Sequence, residues 1–166
     1  CIACHRQNAQ GQRMFPNLTD NDWIFGSSDA QIWHSIAKGR KAAMPGFGDV
    51  LKDEQIADIS DYVVSLNKER VPLSHRVDVA AGRTLYEQHC VSCHGLDAAG
   101  DQETGVPDLT DKVWLYGGDK ALIAHSIKQG LNGAMPAFEA YLNRPELVAV
   151  AAYVKHLAIK ASEEKE

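Results

Sequence analysis

Two stretches of this 166-residue chain decide its fold: Cys1-Ile2-Ala3-Cys4-His5 and Cys90-Val91-Ser92-Cys93-His94. Each places two cysteines three positions apart, and a histidine follows the second cysteine directly. The CxxCH spacing is typical of covalent heme attachment, in which both thiols bond the vinyl groups and the histidine binds the iron. We therefore expect two covalently bound hemes c, with four thioether cysteines (Cys1, Cys4, Cys90 and Cys93) and two proximal iron ligands (His5 and His94).

Two other uses of paired cysteines fit the sequence less well. A zinc site needs four ligands, and the chain has no further cysteine that would complete a set around either pair. A thioredoxin-like redox pair lies in a βαβ unit, and the sequence shows no such alternation of strands and helices. Heme attachment is therefore the interpretation that both motifs favour.

The sequence that follows the first motif is repeated after the second. Pro16-Asn17-Leu18-Thr19-Asp20 parallels Pro107-Asp108-Leu109-Thr110-Asp111, at an offset of 91 positions in the numbering. Met44-Pro45 falls on Met135-Pro136 at the same offset. Such regularity indicates an internal duplication, so each copy tests what is inferred for the other.

Short helices separated by turn residues are predicted in each copy. Asp119 is placed to cap a helix that stops at Gly130, and the counterpart runs from about Ser28 to Lys38 before Gly39. A capping box at residues 143–146 then begins a terminal helix. No strand alternation is visible, so the predicted class is all-α: two tandem cytochrome c domains, each a few short helices around one heme.

The repeat also suggests domain boundaries. We expect a first domain at 1–67, a polar linker at 68–77, a second domain at 78–160 and a polar tail at 161–166. The first domain lacks the helix that should precede its CxxCH motif. Its terminal helix would then have a partly uncovered apolar face, from which we expect the natural chain to extend upstream of Cys1.

Met44 and Met135 are the expected sixth ligands of the two irons. Each lies in a Met-Pro pair after a glycine-terminated helix, 39 and 41 residues beyond its own proximal histidine. Core packing is the alternative role for a methionine. Met14 has no counterpart in the second copy and is expected to pack only. His34 and His125 also occupy equivalent positions, but lie mid-helix, where structural or surface roles are favoured.

Three further residues are candidates for contact with heme. Trp23 and Trp114 each combine a large apolar body with one N–H donor, which suits either a heme propionate or core packing. Arg40 has the charge to pair with a propionate, and Leu131 replaces it in the second copy. His/Met coordination would raise the reduction potential and leave no open position for substrate, which favours an electron carrier over an enzyme.

Charge and hydropathy exclude several classes of partner. The 22 acidic and 17 basic residues give a net charge of −5, which disfavours nucleic acid and anionic membranes and favours basic redox partners. No apolar run approaches the ~18 residues of a membrane-spanning helix. Covalent heme attachment belongs to the bacterial periplasm or an equivalent space, so we expect the protein to be exported.

The motifs together resemble one family. Pro-Asn-Leu-Thr-Asp-x-x-Trp-Ile-Phe-Gly from Pro16 and the later Met-Pro-Gly-Phe from Met44 look like the diheme cytochrome c subunit, subunit III, of cbb3-type cytochrome c oxidases. The second copy matches with Pro-Asp-Leu-Thr-Asp-x-x-Trp-Leu-Tyr-Gly-Gly and Ala-Met-Pro-Ala-Phe. One departure is Arg6, which stands where glycine is common and where the second copy has Gly95.

The resemblance implies a place for the chain in respiration. Members pass electrons from soluble cytochromes towards the catalytic subunit, through a monoheme cytochrome c subunit, on the periplasmic side of the inner membrane. They are held there by an N-terminal transmembrane anchor, and membrane attachment of this protein is expected from the resemblance alone. The resemblance also implies His5 with Met44 on one iron and His94 with Met135 on the other. A free periplasmic diheme shuttle and a diheme peroxidase are the alternatives.

Overall fold

The computed structural model describes residues 1–67 and 79–163, so the predicted linker at 68–77 lies outside the described residues. The described chain contains mainly helices, in the order α1 (Ile2–His5), α2 (Asp29–Lys38), β1 (Arg40–Met44), α3 (Asp53–Leu66), α4 (Ala80–His89), α5 (Val91–His94), α6 (Lys120–Gln129), β2 (Leu131–Met135) and α7 (Arg144–Glu163). Helix α7 extends into the tail predicted from residue 161.

The predicted helix starts are confirmed where a side chain caps the helix. The Ser28 side chain accepts a hydrogen bond from the backbone N–H of Gln31 at the start of α2. Asp119 accepts from the N–H of Leu122 at 3.0 Å and so caps α6. These side chains satisfy backbone donors that have no partner within the first helical turn, which fixes where each helix begins.

A two-stranded sheet is the element that the all-α prediction missed. Strands β1 and β2 pair with each other, and each follows directly after the glycine that ends a helix. Both glycines have positive φ, 73° at Gly39 and 74° at Gly130, a conformation that stops the helix and sends the chain out extended. The strand of each copy forms because it pairs with the other, and local alternation cannot signal that pairing.

The helices and strands divide into two compact units that do not follow the order of the repeat. Unit 1 combines Cys1–Ala42 with the chain from Gly133 onward, and unit 2 comprises Ala43–Asn132. These boundaries differ from the expected ranges 1–67 and 78–160. The physical reason is that each terminal helix packs on elements of the other copy: α3 contacts α4 and α6, and α7 contacts α2.

Unit 2 has a continuous apolar core. Ile56, Ile59 and Val63 on α3 are between 1 and 4 % exposed and pack in one cluster with the buried Tyr86 of α4. A Cβ added to Gly82 would collide with the backbone carbonyl of Asp58, so only glycine permits this approach of α4 to α3. The expectation that the face of α3 is partly uncovered is therefore wrong, because α4 covers it.

Unit 1 is built in the corresponding way around α2 and α7. Ile32 and Ile36 of α2 pack with Leu147, Ala151 and other residues of α7. The predicted capping box starts α7, since the Asn143 side chain accepts from the N–H of Glu146 and the Glu146 carboxylate accepts from the N–H of Asn143.

Across residues 1–67 and 79–163, every helix is too short or too polar to cross a bilayer.

Candidate functional site

Each CxxCH motif folds into a single helical turn. The carbonyl of Cys1 accepts hydrogen bonds from the N–H groups of Cys4, at 3.1 Å, and His5, at 2.8 Å. In the second copy the carbonyl of Cys90 accepts from Cys93 at 3.1 Å and from His94 at 2.9 Å. Residues three and four apart share one helix face, so both thiols and the imidazole are presented together.

The two histidines are oriented by the same type of contact. His5 Nδ1 lies 2.9 Å from the carbonyl oxygen of Pro16, and His94 Nδ1 lies 3.3 Å from that of Pro107. With Nδ1–H donated to a carbonyl, Nε2 is the nitrogen left to bind a metal, which is the usual arrangement around metal-binding histidines. Both histidines are 9 % exposed.

The Pro-x-Leu-Thr turn explains how these carbonyls are positioned. In the first copy the Asn17 side-chain oxygen accepts from the N–H of Thr19 at 2.9 Å and from its hydroxyl at 2.8 Å. Asp108 makes the same pair of bonds to Thr110, both at 2.7 Å. This Asx-type turn fixes the backbone directly after the proline and so holds its carbonyl against the histidine.

Burial changes the acid–base properties of the second motif. Burial lowers the pKa of His94, and the hydrogen bond to Pro107 opposes that effect. Burial, with a smaller contribution from Cys93, raises the pKa of the Cys90 thiol to about 11. Both groups are therefore uncharged at neutral pH, and the imidazole is in the neutral form in which histidine binds metals.

The residue after each motif has the same backbone conformation in both copies. Gly95 has φ 78° and ψ 164°, and Arg6 has φ 65° and ψ 168°. This region is essentially restricted to glycine, so the exposed Arg6 is strained where Gly95 is not. The turn continues identically, because the carbonyls of His5 and His94 accept from Gly11 and Gly100 at 3.0 and 3.1 Å.

The structure places both candidate methionines against apolar clusters. Met44 is half-buried against the core of unit 2, and Met135 is half-buried against the core of unit 1. Met14 is 52 % exposed, so the prediction that it serves as a packing residue is wrong. His34 and His125 are also exposed on their helices, as the sequence favours.

The remaining candidates have partners within the protein. Trp114 donates its indole N–H to the carbonyl of Asp111 at 3.3 Å, while Trp23 packs against the core of unit 1. Arg40 donates to the Ser35 hydroxyl at 2.8 Å and lies 4.6 Å from the centroid of the Phe25 ring. Partial burial lowers the pKa of Arg40.

Two contributions to the site were missed by sequence reasoning. The proline carbonyls are backbone groups, so residue type alone does not signal them, although the repeated Pro-x-Leu-Thr spacing does. Tyr86 is 1 % exposed and donates its hydroxyl to the carbonyl of Gly95 at 2.8 Å, which fastens α4 to the second motif. An aromatic residue four positions before a CxxCH motif is the signal that was available.

The donor set fits a c-type heme. All four cysteines are free thiols on helical turns, each beside an imidazole whose Nδ1 is already bonded. Within the described ranges, no group of three His, Cys, Asp or Glu side chains could hold a metal ion by itself. Each motif supplies one imidazole and two thiols for covalent attachment, which matches the requirements of heme c.

Comparison with known proteins gives a consistent result. The family model described as cytochrome c oxidase, cbb3-type, subunit III matches residues 1–63 and 77–154. The cbb3-type cytochrome c oxidase subunit FixP of Bradyrhizobium sp. strain ORS 278 is 40 % identical over 167 residues, which cover 95 % of this chain and 57 % of that protein.

Subunits named CcoP are also similar. That of Azospirillum brasilense is 36 % identical over 177 residues, covering 95 % of this chain and 58 % of that protein. That of Cereibacter sphaeroides is 33 % identical over 169 residues, covering 95 % and 57 %. The chain thus spans somewhat more than half the length of these curated relatives.

Proposed function

The chain belongs to the cbb3-type cytochrome c oxidase subunit III family, and from that premise we propose that it is a diheme electron carrier of a terminal oxidase. It would carry one heme c on each CxxCH motif and pass single electrons towards the catalytic subunit. The protein itself would not catalyse oxygen reduction.

The observation that carries this proposal is the repeated histidine geometry. In both copies a CxxCH turn presents two thiols and one imidazole, and a proline carbonyl holds the Nδ1 side of that imidazole. A hydrogen bond from the far nitrogen makes imidazole a stronger ligand and fixes its plane. Two sites built alike suit two cofactors of the same kind.

The chain's residues would determine how each heme behaves. When bound, heme c supplies an iron that changes between the ferrous and ferric states by one electron. The cysteines would anchor the group, and the histidine and a methionine thioether would be the protein ligands of its iron. A thioether favours ferrous iron, so the potential rises, and a filled sixth position leaves no place for oxygen or peroxide.

Partners and location follow from the family as proposals. We place the hemes on the periplasmic side of the bacterial inner membrane, where a soluble cytochrome would deliver electrons. A monoheme cytochrome c subunit would then carry them to the catalytic subunit. The net charge of −5 complements a basic donor and would raise the rate of encounter at low ionic strength.

Heme content and electron delivery test the proposal together. The chain is expressed in a periplasm that attaches hemes c, and its intact mass is measured for the wild type, for Cys1→Ala/Cys4→Ala and for Cys90→Ala/Cys93→Ala. We expect two hemes in the wild type and one in each double variant. The reduced wild type should then restore oxygen uptake to a cbb3-type oxidase that lacks subunit III.

The same experiment separates the rival functions. Two attached hemes without restored oxygen uptake would support a free shuttle instead of an oxidase subunit. Turnover of hydrogen peroxide by the wild type would support a diheme peroxidase. An intact mass without attached heme would contradict the oxidase-subunit, shuttle and peroxidase functions alike.

A further inference from the structure

We infer that the sixth ligands are exchanged between the two copies: Met44 serves the iron held by His94, and Met135 serves the iron held by His5. This inference rests on the proposed attachment of heme to both CxxCH motifs. It reverses the pairing that the family resemblance implied, in which each copy supplies both ligands of its own iron.

The composition of the compact units is the first support. Unit 2 contains the second motif, Cys90 to His94, and the first Met-Pro pair at Met44. Unit 1 contains the first motif, Cys1 to His5, and the second Met-Pro pair at Met135. An iron ligand must lie within a few ångströms of the metal, so each histidine is paired with the methionine that shares its unit.

Met44 lies against an apolar cluster to which the second copy contributes, together with α3 of the first. Met44 packs against the cluster that includes Ile123 and Ile127 of α6, and Cys90 and Trp114 pack against that same cluster. These residues surround the second CxxCH motif, where one of the thioether bonds would form. The environment of Met44 is therefore the surroundings expected for the heme bound to His94.

The environment of Met135 corresponds to that of Met44, with the two copies exchanged. Met135 packs against the cluster that includes Ile32 and Ile36 of α2 beside residues of α7, and Leu18 and Trp23 pack against the same cluster. Leu18 donates its N–H to the carbonyl of Ala9 at 2.8 Å, directly after the first CxxCH turn. The surroundings of Met135 are thus those expected for the heme bound to His5.

Backbone hydrogen bonds hold each Met-Pro loop on the helix of the other copy. Phe47 and Gly48 donate to the carbonyls of Ile127 and Lys128 at 2.9 and 3.1 Å. The corresponding bonds of the second copy run from Phe138 and Glu139 to Ile36 and Ala37, at 3.0 and 3.2 Å. The carbonyls at a helix C-terminus have no partner within the helix, so these loops satisfy them.

The glycines that end the two helices permit this close approach. A Cβ added to Gly130 would lie 2.6 Å from the carbonyl oxygen of Met44. A Cβ added to Gly39 would lie 2.5 Å from that of Met135. Real side chains do not tolerate such distances, so glycine at both positions is required by the methionine loop that crosses it.

Charged pairs repeat the same exchange at the surface. Lys128 on α6 lies 2.6 Å from the Asp53 carboxylate, and Lys38 on α2 lies 2.6 Å from that of Glu139. Exposed pairs contribute little stability, but each of these joins a helix of one copy to a carboxylate of the other. Asn67, directly after α3 of the first copy, adds a further link, because its side chain donates to the carbonyl of Asp111 at 2.7 Å.

The strands explain why the iron of each histidine is not bound by the methionine of the same copy. Each strand has five residues, Arg40–Met44 and Leu131–Met135, and so extends for about 16 Å beyond the helix that precedes it. An extended segment of that length carries the methionine away from the helix that precedes it.

Single-heme variants test the exchange. In Cys1→Ala/Cys4→Ala only the heme of His94 remains, and its sixth ligand is examined by combining this background with Met44→His or Met135→His. The readouts are the methionine–iron absorption band of the ferric protein and the reduction potential. We expect Met44→His to abolish the band and lower the potential, while Met135→His preserves the band. The reverse result would overturn the exchange.

The variant that keeps only the heme of His5 provides a second determination of the ligand pairing. In Cys90→Ala/Cys93→Ala, the heme of His5 should lose its band with Met135→His and keep it with Met44→His. Met14→Leu is the control in both backgrounds, because Met14 is exposed and has no counterpart in the other copy. It should leave the band intact.

Proton NMR of the diheme wild type keeps the test independent of variant folding. The methyl group of a ligated methionine should show a nuclear Overhauser contact with the tryptophan of its own cluster. Contacts from Met44 to Trp114 and from Met135 to Trp23 would support the exchange. Contacts from Met44 to Trp23 would overturn it and leave the diheme carrier function standing, whereas a protein without covalent heme would contradict the proposed function itself.

Discussion

The Nδ1 atom of His5 lies 2.9 Å from the carbonyl oxygen of Pro16, and this contact recurs in the second copy between His94 and Pro107 at 3.3 Å. The proline turn therefore contacts the histidine of the CxxCH motif in the same way in both copies. It holds the imidazole plane and leaves Nε2 directed to the position that the iron would occupy.

We expect Pro16→Gly to weaken this support. Glycine raises the entropy of the unfolded chain, so the free energy of unfolding should fall by about 0.5–1 kcal/mol. A less firmly held carbonyl accepts a weaker hydrogen bond from His5, so the imidazole becomes a weaker electron donor to the iron. The reduction potential of the heme bound to His5 should therefore rise. Thermal unfolding and a redox titration measure both effects, with Pro107→Gly as the matched variant. An unchanged reduction potential in both variants would show that the proline carbonyl does not influence the histidine ligand.

The strained backbone at Arg6 predicts a stabilising substitution. Arg6→Gly should raise the free energy of unfolding by roughly 1 kcal/mol, because the relief of strain exceeds the entropic cost of glycine. Gly95→Ala should lower it, since the added Cβ would meet the Asp97 carboxylate at 2.8 Å in a conformation with φ 78°. Urea unfolding compares the two. A destabilised Arg6→Gly protein would show that Arg6 is not strained.

Substitution of Gly130 should loosen the sixth ligand. Gly130→Ala places a Cβ against the carbonyl of Met44, so the loop must move and the methionine–iron bond should weaken. We expect partial loss of the methionine band and destabilisation of about 1–3 kcal/mol. Gln129→Ala, at the exposed neighbouring position, is the control and should leave the band unchanged. An intact band in Gly130→Ala would mean that the loop tolerates the displacement.

The buried hydroxyl of Tyr86 predicts a defined pH dependence. Tyr86→Phe should cost about 1 kcal/mol, because the bond to the Gly95 carbonyl is lost. Burial raises the pKa of Tyr86 in the folded protein. The contribution of this hydroxyl should thus be complete below the ordinary tyrosine pKa of about 10 and decrease only above it. Unfolding of both proteins from pH 6 to pH 11 measures the difference, and a dependence near neutrality would contradict this assignment.

Local signals in the sequence predicted much of the fold. Ser28, Asp119 and Asn143 each mark a helix start, and the structure places a cap at all three. The glycines at 39 and 130 mark the ends of α2 and α6. These predictions are correct because capping depends on residues only a few positions apart.

The packing of one copy on the other could not be predicted in this way. Ile32 and Ile36 of α2 correspond to Ile123 and Ile127 of α6, so either helix offers a Met-Pro loop nearly the same surface. Residue type therefore does not distinguish packing within a copy from packing on the other copy. The two strands were missed for the same reason, since their partners lie about 90 residues away in the sequence.

Carbon monoxide binding to the fully reduced diheme protein is the most direct test that both irons are saturated electron carriers. With a histidine and a methionine on each iron, the absorption spectrum should remain unchanged when carbon monoxide is added at neutral pH. Gly130→Ala provides a positive control, because its loosened methionine should admit the ligand. Binding of carbon monoxide to either heme of the wild type would contradict saturation and point to an open site for catalysis.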